Sequence, residues 1–261
     1  MTYRHNTFNR ALMRRPADNT DAGLTSQSDV SVDNALMKQQ YEAYTVALRD
    51  CGLELDILSS DDRFPDGHYV EDTAVLYDDM AFICQPPHPI RAGEPPSIAA
   101  ELTHLRCIPA TDDATIEGGD VLFCADRVLI GLSERTNLVG AEQLRAALHT
   151  VDSALKVDFV SFSGVLHLKS GITELAPGVI LKSPDMHTDY DFGFTECITL
   201  PPEESYAADV LPVNDAVLIP DGFPTVGALA DKHYARVYRL NMSEFEKMDG
   251  GVTCLSLRYR S

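Results

Sequence analysis

Thr73-Ala74-Val75-Leu76-Tyr77-Asp78-Asp79-Met80-Ala81-Phe82-Ile83-Cys84 reads as two short apolar strands folded back on each other across an acidic two-residue turn. The same grammar returns at Val121-Leu122-Phe123-Cys124, Ala125-Asp126, Arg127-Val128-Leu129-Ile130. It recurs at Ile172-Thr173-Glu174-Leu175, Ala176-Pro177-Gly178, Val179-Ile180-Leu181, and at Val210-Leu211-Pro212-Val213, Asn214-Asp215, Ala216-Val217-Leu218-Ile219-Pro220. A closing strand from Val252 to Leu257 would open a fifth unit, completed by an amino-terminal strand near Phe8 to Met13. The units therefore start near residues 74, 121, 172, 210 and 252, a loose period of about 40–50 residues, in the range of circular or stacked repeats. Met37, Tyr41, Tyr44 and Leu48 predict a helix over residues 33–50, stopped by Cys51-Gly52. Ile98, Leu102 and Leu105 suggest a second, Leu138, Ala141, Leu144 and Leu148 a third, and Val226, Leu229 and Ala230 a short fourth. A helix inside most units points to α/β blades around a central axis; the simpler reading is a mixed sheet with hairpins.

The rest of the composition bounds the function. No stretch of the 261 residues reads as a linker, so one domain spanning 1–261 is expected. The apolar runs are strand-sized, and Met1-Thr2-Tyr3-Arg4-His5-Asn6 lacks the apolar core of a secretory signal. A soluble, cytoplasmic protein is expected. Cys51, Cys84, Cys107, Cys124, Cys197 and Cys254 show no CxxC pair and no regular spacing, which predicts free thiols. A formal net charge of −19 repels nucleic-acid backbones and anionic membranes, and neither is expected as a partner. It also favours a cationic small molecule, within the range of about 8–10 Å that salt leaves to such steering.

Cys254, after the glycine pair in Asp249-Gly250-Gly251-Val252-Thr253-Cys254, is placed so that a strand could present its thiol to a cavity. A lone cysteine or histidine is ordinarily core filling. Here, however, His167, Glu117 and Glu71-Asp72 lie just before or within the first strand of other units. In a radial arrangement those positions converge on one axis. A thiol, an imidazole and carboxylates brought together from distant segments are the parts of a covalent thiol catalyst.

Seven stretches, in order, carry a family resemblance: Asp21-Ala22-Gly23-Leu24-Thr25-Ser26, Arg63-Phe64-Pro65-Asp66-Gly67-His68-Tyr69-Val70-Glu71-Asp72, Glu117-Gly118-Gly119-Asp120, Ser133-Glu134-Arg135-Thr136-Asn137, Leu166-His167-Leu168-Lys169, Pro202-Glu203-Glu204-Ser205-Tyr206-Ala207-Ala208 and Asp249-Gly250-Gly251-Val252-Thr253-Cys254. Through them the chain resembles the dimethylarginine dimethylaminohydrolases (dimethylargininases) of the pentein, or amidinotransferase, superfamily, over nearly its whole length. The resemblance implies a five-bladed α/β propeller with pseudo-fivefold symmetry. It also implies hydrolysis of Nω-methylated L-arginine to citrulline and a methylamine through a cysteine thiouronium intermediate. By matched motif, Cys254 would be the nucleophile, His167 the general acid/base and Glu117 its orienting partner. Glu71 and Asp72 would grip the guanidinium, and Asp66 with the Leu24 carbonyl would receive the α-amino group. Arg91 and Arg135 would bind the α-carboxylate, and the Met248 carbonyl would complete the hydrogen bonding. No metal and no cofactor is expected, and a homodimer is an admissible assembly. An arginine deiminase, an amidinotransferase and a non-catalytic binder of arginine derivatives stay open beside this reading, although deiminases of the superfamily are typically longer, with an inserted helical domain.

Overall fold

The computed structural model describes residues 7–193 and 196–260, so the amino-terminal hexapeptide read above lies outside the described residues. In chain order the elements are β1 (Arg10–Arg14), α1 (Asn34–Asp50), β2 (Glu54–Leu58), β3 (Ala74–Tyr77), β4 (Met80–Ile83), α2 (Glu94–Ala99), β5 (Arg106–Pro109), β6 (Val121–Phe123), β7 (Val128–Leu132), α3 (Leu138–Val151) and β8 (Val157–Ser161). They continue with α4 (Leu168–Gly171), β9 (Ile172–Ala176), β10 (Val179–Lys182), β11 (Glu196–Thr199), β12 (Leu211–Val213), β13 (Ala216–Pro220), α5 (Pro224–His233), β14 (Arg236–Leu240), α6 (Ser243–Glu246) and β15 (Leu257–Tyr259).

These strands form five three-stranded sheets with one wiring. In each of the four internal units a hairpin is followed by a crossover to a third strand that lies parallel to the second, as in β3-β4-β5, where Ala74 faces Ile83 and Met80 faces Arg106. The fifth unit joins the two ends of the chain. There β1 pairs antiparallel with β15 and parallel with β2. Two hairpin turns rest on residues with left-handed backbone, Asp78 (φ 48°) and Asn214 (φ 58°), which short polar side chains tolerate.

Helix α1 shows how sequence fixes a crossover. The Asp33 side chain accepts the amides of Ala35 and Leu36, both at 3.0 Å, which caps the first turn. Met37, Tyr41, Tyr44 and Leu48 are buried along one face, and Gly52 (φ 92°) ends the helix. Five apolar clusters then join the sheets in pairs. Leu12 and Leu257 pack with Ala74 and Ala81, Val75 and Phe82 with Val121 and Ile130, and Leu122 and Leu129 with Ile172 and Ile180. Leu175 and Leu181 meet Val217 and Ile219, while Val213 and Leu218 meet Ala11 and Met13 under α1. Each large side chain so buried contributes about 1.5–3 kcal/mol.

Two expectations need correction. The second helix begins earlier than the apolar spacing suggests, because Pro95 and Pro96 suit the first helical turn. It ends at Ala99, and Leu102 and Leu105 follow in tight turns. The final strand is also shorter: Val252 to Leu255 form turns, and only Leu257–Tyr259 pair with a neighbour. Thr253 gives its amide and hydroxyl to Asp209 (3.4 and 3.2 Å) instead of to a sheet edge. Cys254 thus sits on a turn before the first strand of its unit. Its counterparts elsewhere are the helical turns Val70–Thr73, Gly118–Asp120, α4 and Pro202–Ala208.

Candidate active site

Nine of the ten residues singled out above, all except Glu71, line one cavity of about 200 Å³. The turns that precede the first strands supply most of its chemistry. Glu117, fully buried, accepts a 2.6 Å hydrogen bond from Nε2 of His167. His167 Nδ1 has no protein partner among the described residues, so that nitrogen is the one left to exchange a proton with a ligand. Gly119 permits this packing, since a Cβ there would come within 2.7 Å of His167 Nδ1 and 2.9 Å of Asp72 Oδ1. Asp72 accepts the Gly119 amide (3.0 Å) on one oxygen and Nη1 of Arg91 (2.7 Å) on the other.

Cys254 is half-buried and its Sγ accepts the Gly251 amide at 3.3 Å. The loop carrying it is pinned from several sides. Tyr206 donates to the Gly250 carbonyl (2.8 Å), the Glu71 amide donates to the Cys254 carbonyl (3.2 Å), and a Cβ at Gly250 would lie 2.3 Å from the Tyr69 ring. Leu24 donates its amide to both Asp66 oxygens (3.2 and 3.0 Å), and Ser26 bonds through its amide and hydroxyl to Asp249 (2.5 and 2.8 Å). These bonds hold the 20–27 segment over the cavity.

Glu71 faces elsewhere. Its Oε1 accepts Lys169 (2.7 Å) and Arg258 (2.9 Å), and it lines two other cavities, neither of which includes Cys254. Adjacent residues of a 3-10 turn diverge by about a third of a turn, so the Glu71 and Asp72 side chains point apart, and of the two only Asp72 lines this cavity. Arg91 is held more fully than a free carboxylate receptor would be: Nε and Nη2 bond Glu94, Nη2 also reaches the Tyr69 carbonyl, and one Nη1 hydrogen goes to Asp72. One Nη1 donor remains. Among the described residues the Arg135 guanidinium makes only a long 3.5 Å contact with Glu117, which leaves its fork more available. Glu94 and Asp209 are the two residues of this environment that sequence reasoning missed. An acid three residues past Arg91, and an acid two residues before a first strand, were the available signals.

Electrostatics divides the site. Burial would lower the His167 pKa, but Asp72 and the hydrogen bond to Glu117 outweigh it and raise the imidazole to about 9. Burial acts to raise Asp72, and the charges of His167 and Arg91 bring it below the usual carboxylate value. Burial lifts the Cys254 thiol well above its ordinary value, and the negative charges of Asp209, Glu71 and Asp72 lift it further. Near neutral pH this charge arrangement favours an imidazolium beside a thiol. Alkylation of Cys254 by iodoacetamide, followed by mass spectrometry of the peptide, should accordingly accelerate with pH to beyond pH 9. A bound guanidinium should shift that titration downward; an unperturbed titration near 8.5 would contradict the charge arrangement.

A planar cation fits this chemistry, since its N–H groups match buried carboxylates in bidentate fashion. One donor atom each from Asp72, Glu117 and His167 lies within 4.8 Å of the others, a spacing that a metal ion could also occupy.

Comparison with known proteins agrees with this geometry. The arginine deiminase family model matches residues 88–188. The chain is 35% identical over 257 residues to the N(G),N(G)-dimethylarginine dimethylaminohydrolase of Pseudomonas aeruginosa, covering 97% of this chain and 100% of that protein. It is also 35% identical over 255 residues to the Streptomyces coelicolor enzyme of the same name, covering 96% and 97%. The solved structure of a cysteine-to-serine variant of the Pseudomonas enzyme, complexed with citrulline, superposes with a TM-score of 0.89 at 33% identity over 97% of this chain and 100% of that one. The amino-terminal domain of a cyanobacterial arginine dihydrolase, 18% identical, shares the fold with a TM-score of 0.83 over 96% and 98%. Five sheets of one wiring, a cavity that gathers a thiol, an imidazole and buried acids, and relatives matched from end to end place the chain in the dimethylarginine dimethylaminohydrolase family.

Proposed function

We propose that this chain is a dimethylargininase, which hydrolyses Nω-methylated L-arginine to L-citrulline and a methylamine. The observation that carries the reading is the gathering of Cys254, His167, Glu117 and Asp72 around one cavity in a member of this family. The guanidinium sits against Asp72 and Glu117, which keep it cationic and present its central carbon to Cys254. Each charge-assisted bond of this kind contributes about 1.5–3 kcal/mol. Asp66 and the Leu24 carbonyl receive the α-amino group, Arg135 and the remaining donor of Arg91 the α-carboxylate, and the Met248 carbonyl a further N–H.

The arriving cation offsets the acids that hold the thiol protonated, so substrate binding releases the thiol proton to water and leaves a thiolate. Sγ attacks the central carbon to form a C–S bond. The imidazolium of His167 gives its proton to the methylated nitrogen, the C–N bond breaks, and an amine departs. The neutral imidazole then takes a proton from water, whose oxygen adds to the same carbon; as the C–S bond breaks the remaining hydroxyl proton passes to the departing sulfur, and citrulline leaves. Glu117 holds the ring in place throughout and stabilises its charged form.

The same reading takes residues 1–261 as one catalytic domain and its five units as the blades of a closed pentein α/β propeller. The chain of apolar clusters linking sheet to sheet supports it. A cytoplasmic setting is supported by six free cysteines. Among the described residues no helix is long and apolar enough to cross a membrane.

Product analysis tests the activity. Incubation with Nω,Nω-dimethylarginine should give equimolar citrulline and dimethylamine by mass spectrometry. Faster release of ammonia from free arginine would instead identify a deiminase. Binding without turnover of any guanidine would identify a binding protein.

A further inference from the structure

A trough of about 970 Å³ opens beside the reaction cavity and shares Ser26, Leu166 and Asp249 with it. Among the described residues that line it none is basic, and five are acidic: Glu134, Glu203, Asp209, Glu246 and Asp249. Asp249 is engaged by Ser26. Glu134 and Glu203 are exposed, while Glu246 is half-buried. The unusual member is Asp209, only 5% exposed, whose Oδ2 takes the Thr253 amide and hydroxyl while Oδ1 is buried with no hydrogen-bond partner among the described residues. Gly251, which also lines the trough, packs so tightly on this carboxylate that a Cβ would lie 1.7 Å from Oδ2. A buried acceptor with an unmet bond is destabilising, and a cationic N–H donor is the natural group to meet it. Phe162, Tyr206 and Phe223 supply aromatic walls suited to an alkylammonium.

The trough adjoins the reaction cavity beside the segment that carries His167, the proposed proton donor to the leaving nitrogen. That nitrogen takes its proton from His167, and Leu166, the preceding residue, lines both spaces. We propose that the trough is an organic-cation subsite, with Asp209 at its floor, which receives a positively charged substituent carried on the departing guanidine nitrogen. The proposal rests on the hydrolase reading above and extends it to a substrate class: arginines whose Nω group ends in an ammonium, released by the same chemistry as diamines.

Two ligands of similar length decide it, Nω-(4-aminobutyl)-L-arginine and neutral Nω-pentyl-L-arginine. The wild-type protein should turn over the ammonium-tailed compound with a kcat/KM at least about tenfold higher, and the preference should shrink as salt rises. A Glu203→Gln/Glu246→Gln protein should lose most of the preference while hydrolysing dimethylarginine within about twofold of wild type. Asp209→Asn should remove the remainder. Calorimetric binding of both ligands to Cys254→Ser protein gives the same comparison without turnover. Equal affinity for the two tails there, or a preference untouched by all three substitutions, overturns the subsite. Tail discrimination in binding with no hydrolysis of dimethylarginine by wild type would sink the hydrolase reading and leave the cation site standing.

Discussion

Cys254→Ala is expected to lower kcat on dimethylarginine by at least about 10⁴-fold while changing citrulline affinity by no more than a few-fold, as removal of a covalent nucleophile does elsewhere. The asymmetry follows from where the residue sits. The Asp209 grip on Thr253 and the Tyr206 bond to the Gly250 carbonyl are made through other atoms of the loop, and only the Gly251 amide loses its acceptor. Truncating one half-buried sulfur therefore leaves the turn in place. The acids that bind the guanidinium stand on other turns and keep their own partners. Rapid-quench mass spectrometry completes the test. Wild type should accumulate a covalent adduct on the peptide containing Cys254, heavier by the substrate minus the amine, and the variant should accumulate none. Turnover in the alanine protein within a hundredfold of wild type would remove Cys254 from the chemistry.

What could be read from sequence depended on burial. The first two strands of each unit are almost wholly inside, as in β3-β4 and β12-β13, so they appear as apolar runs broken by turn residues. The third strands escaped notice. Glu54–Leu58, Arg106–Pro109 and Glu196–Thr199 are edge strands with much of their surface exposed, so polar residues interrupt the apolar signal. Of the site, Asp72, Glu117 and His167 are legible because each lies just ahead of the first strand of a unit, and all three line one cavity. Asp209 holds the same position in the fourth unit. Cys254 lines that cavity from a turn and not from a strand. Adjacency in sequence does not give adjacency in space for Glu71, whose side chain the 3-10 turn directs to Lys169 and Arg258.

Asp72→Asn is expected to lower kcat/KM by about 10²–10⁴-fold, the equivalent of the roughly 3–5 kcal/mol lost when one partner of a buried ion pair is removed. The substitution preserves volume and the acceptor for the Gly119 amide, so the backbone should hold. It removes the charge that faces Arg91 at 2.7 Å and that the substrate guanidinium requires. It also removes a leading cause of the raised His167 pKa, and the imidazole should titrate below its present value of about 9. That has a signature in stability. A histidine raised from 6.5 to about 9 by folding stabilises the native state fully below pH 6.5, and this contribution disappears as pH climbs through 9. Thermal melting of wild type should therefore show a decline from this group across pH 6.5–9, and the variant a flatter profile from an already lower Tm. Glu71→Gln provides the contrast. It removes the countercharge of Lys169 and Arg258 away from the cavity, so it should lower Tm while leaving KM for dimethylarginine within a few-fold. If Glu71→Gln raised KM as much as Asp72→Asn, the separation of these neighbouring acids into one that binds substrate and one that holds the fold would be wrong.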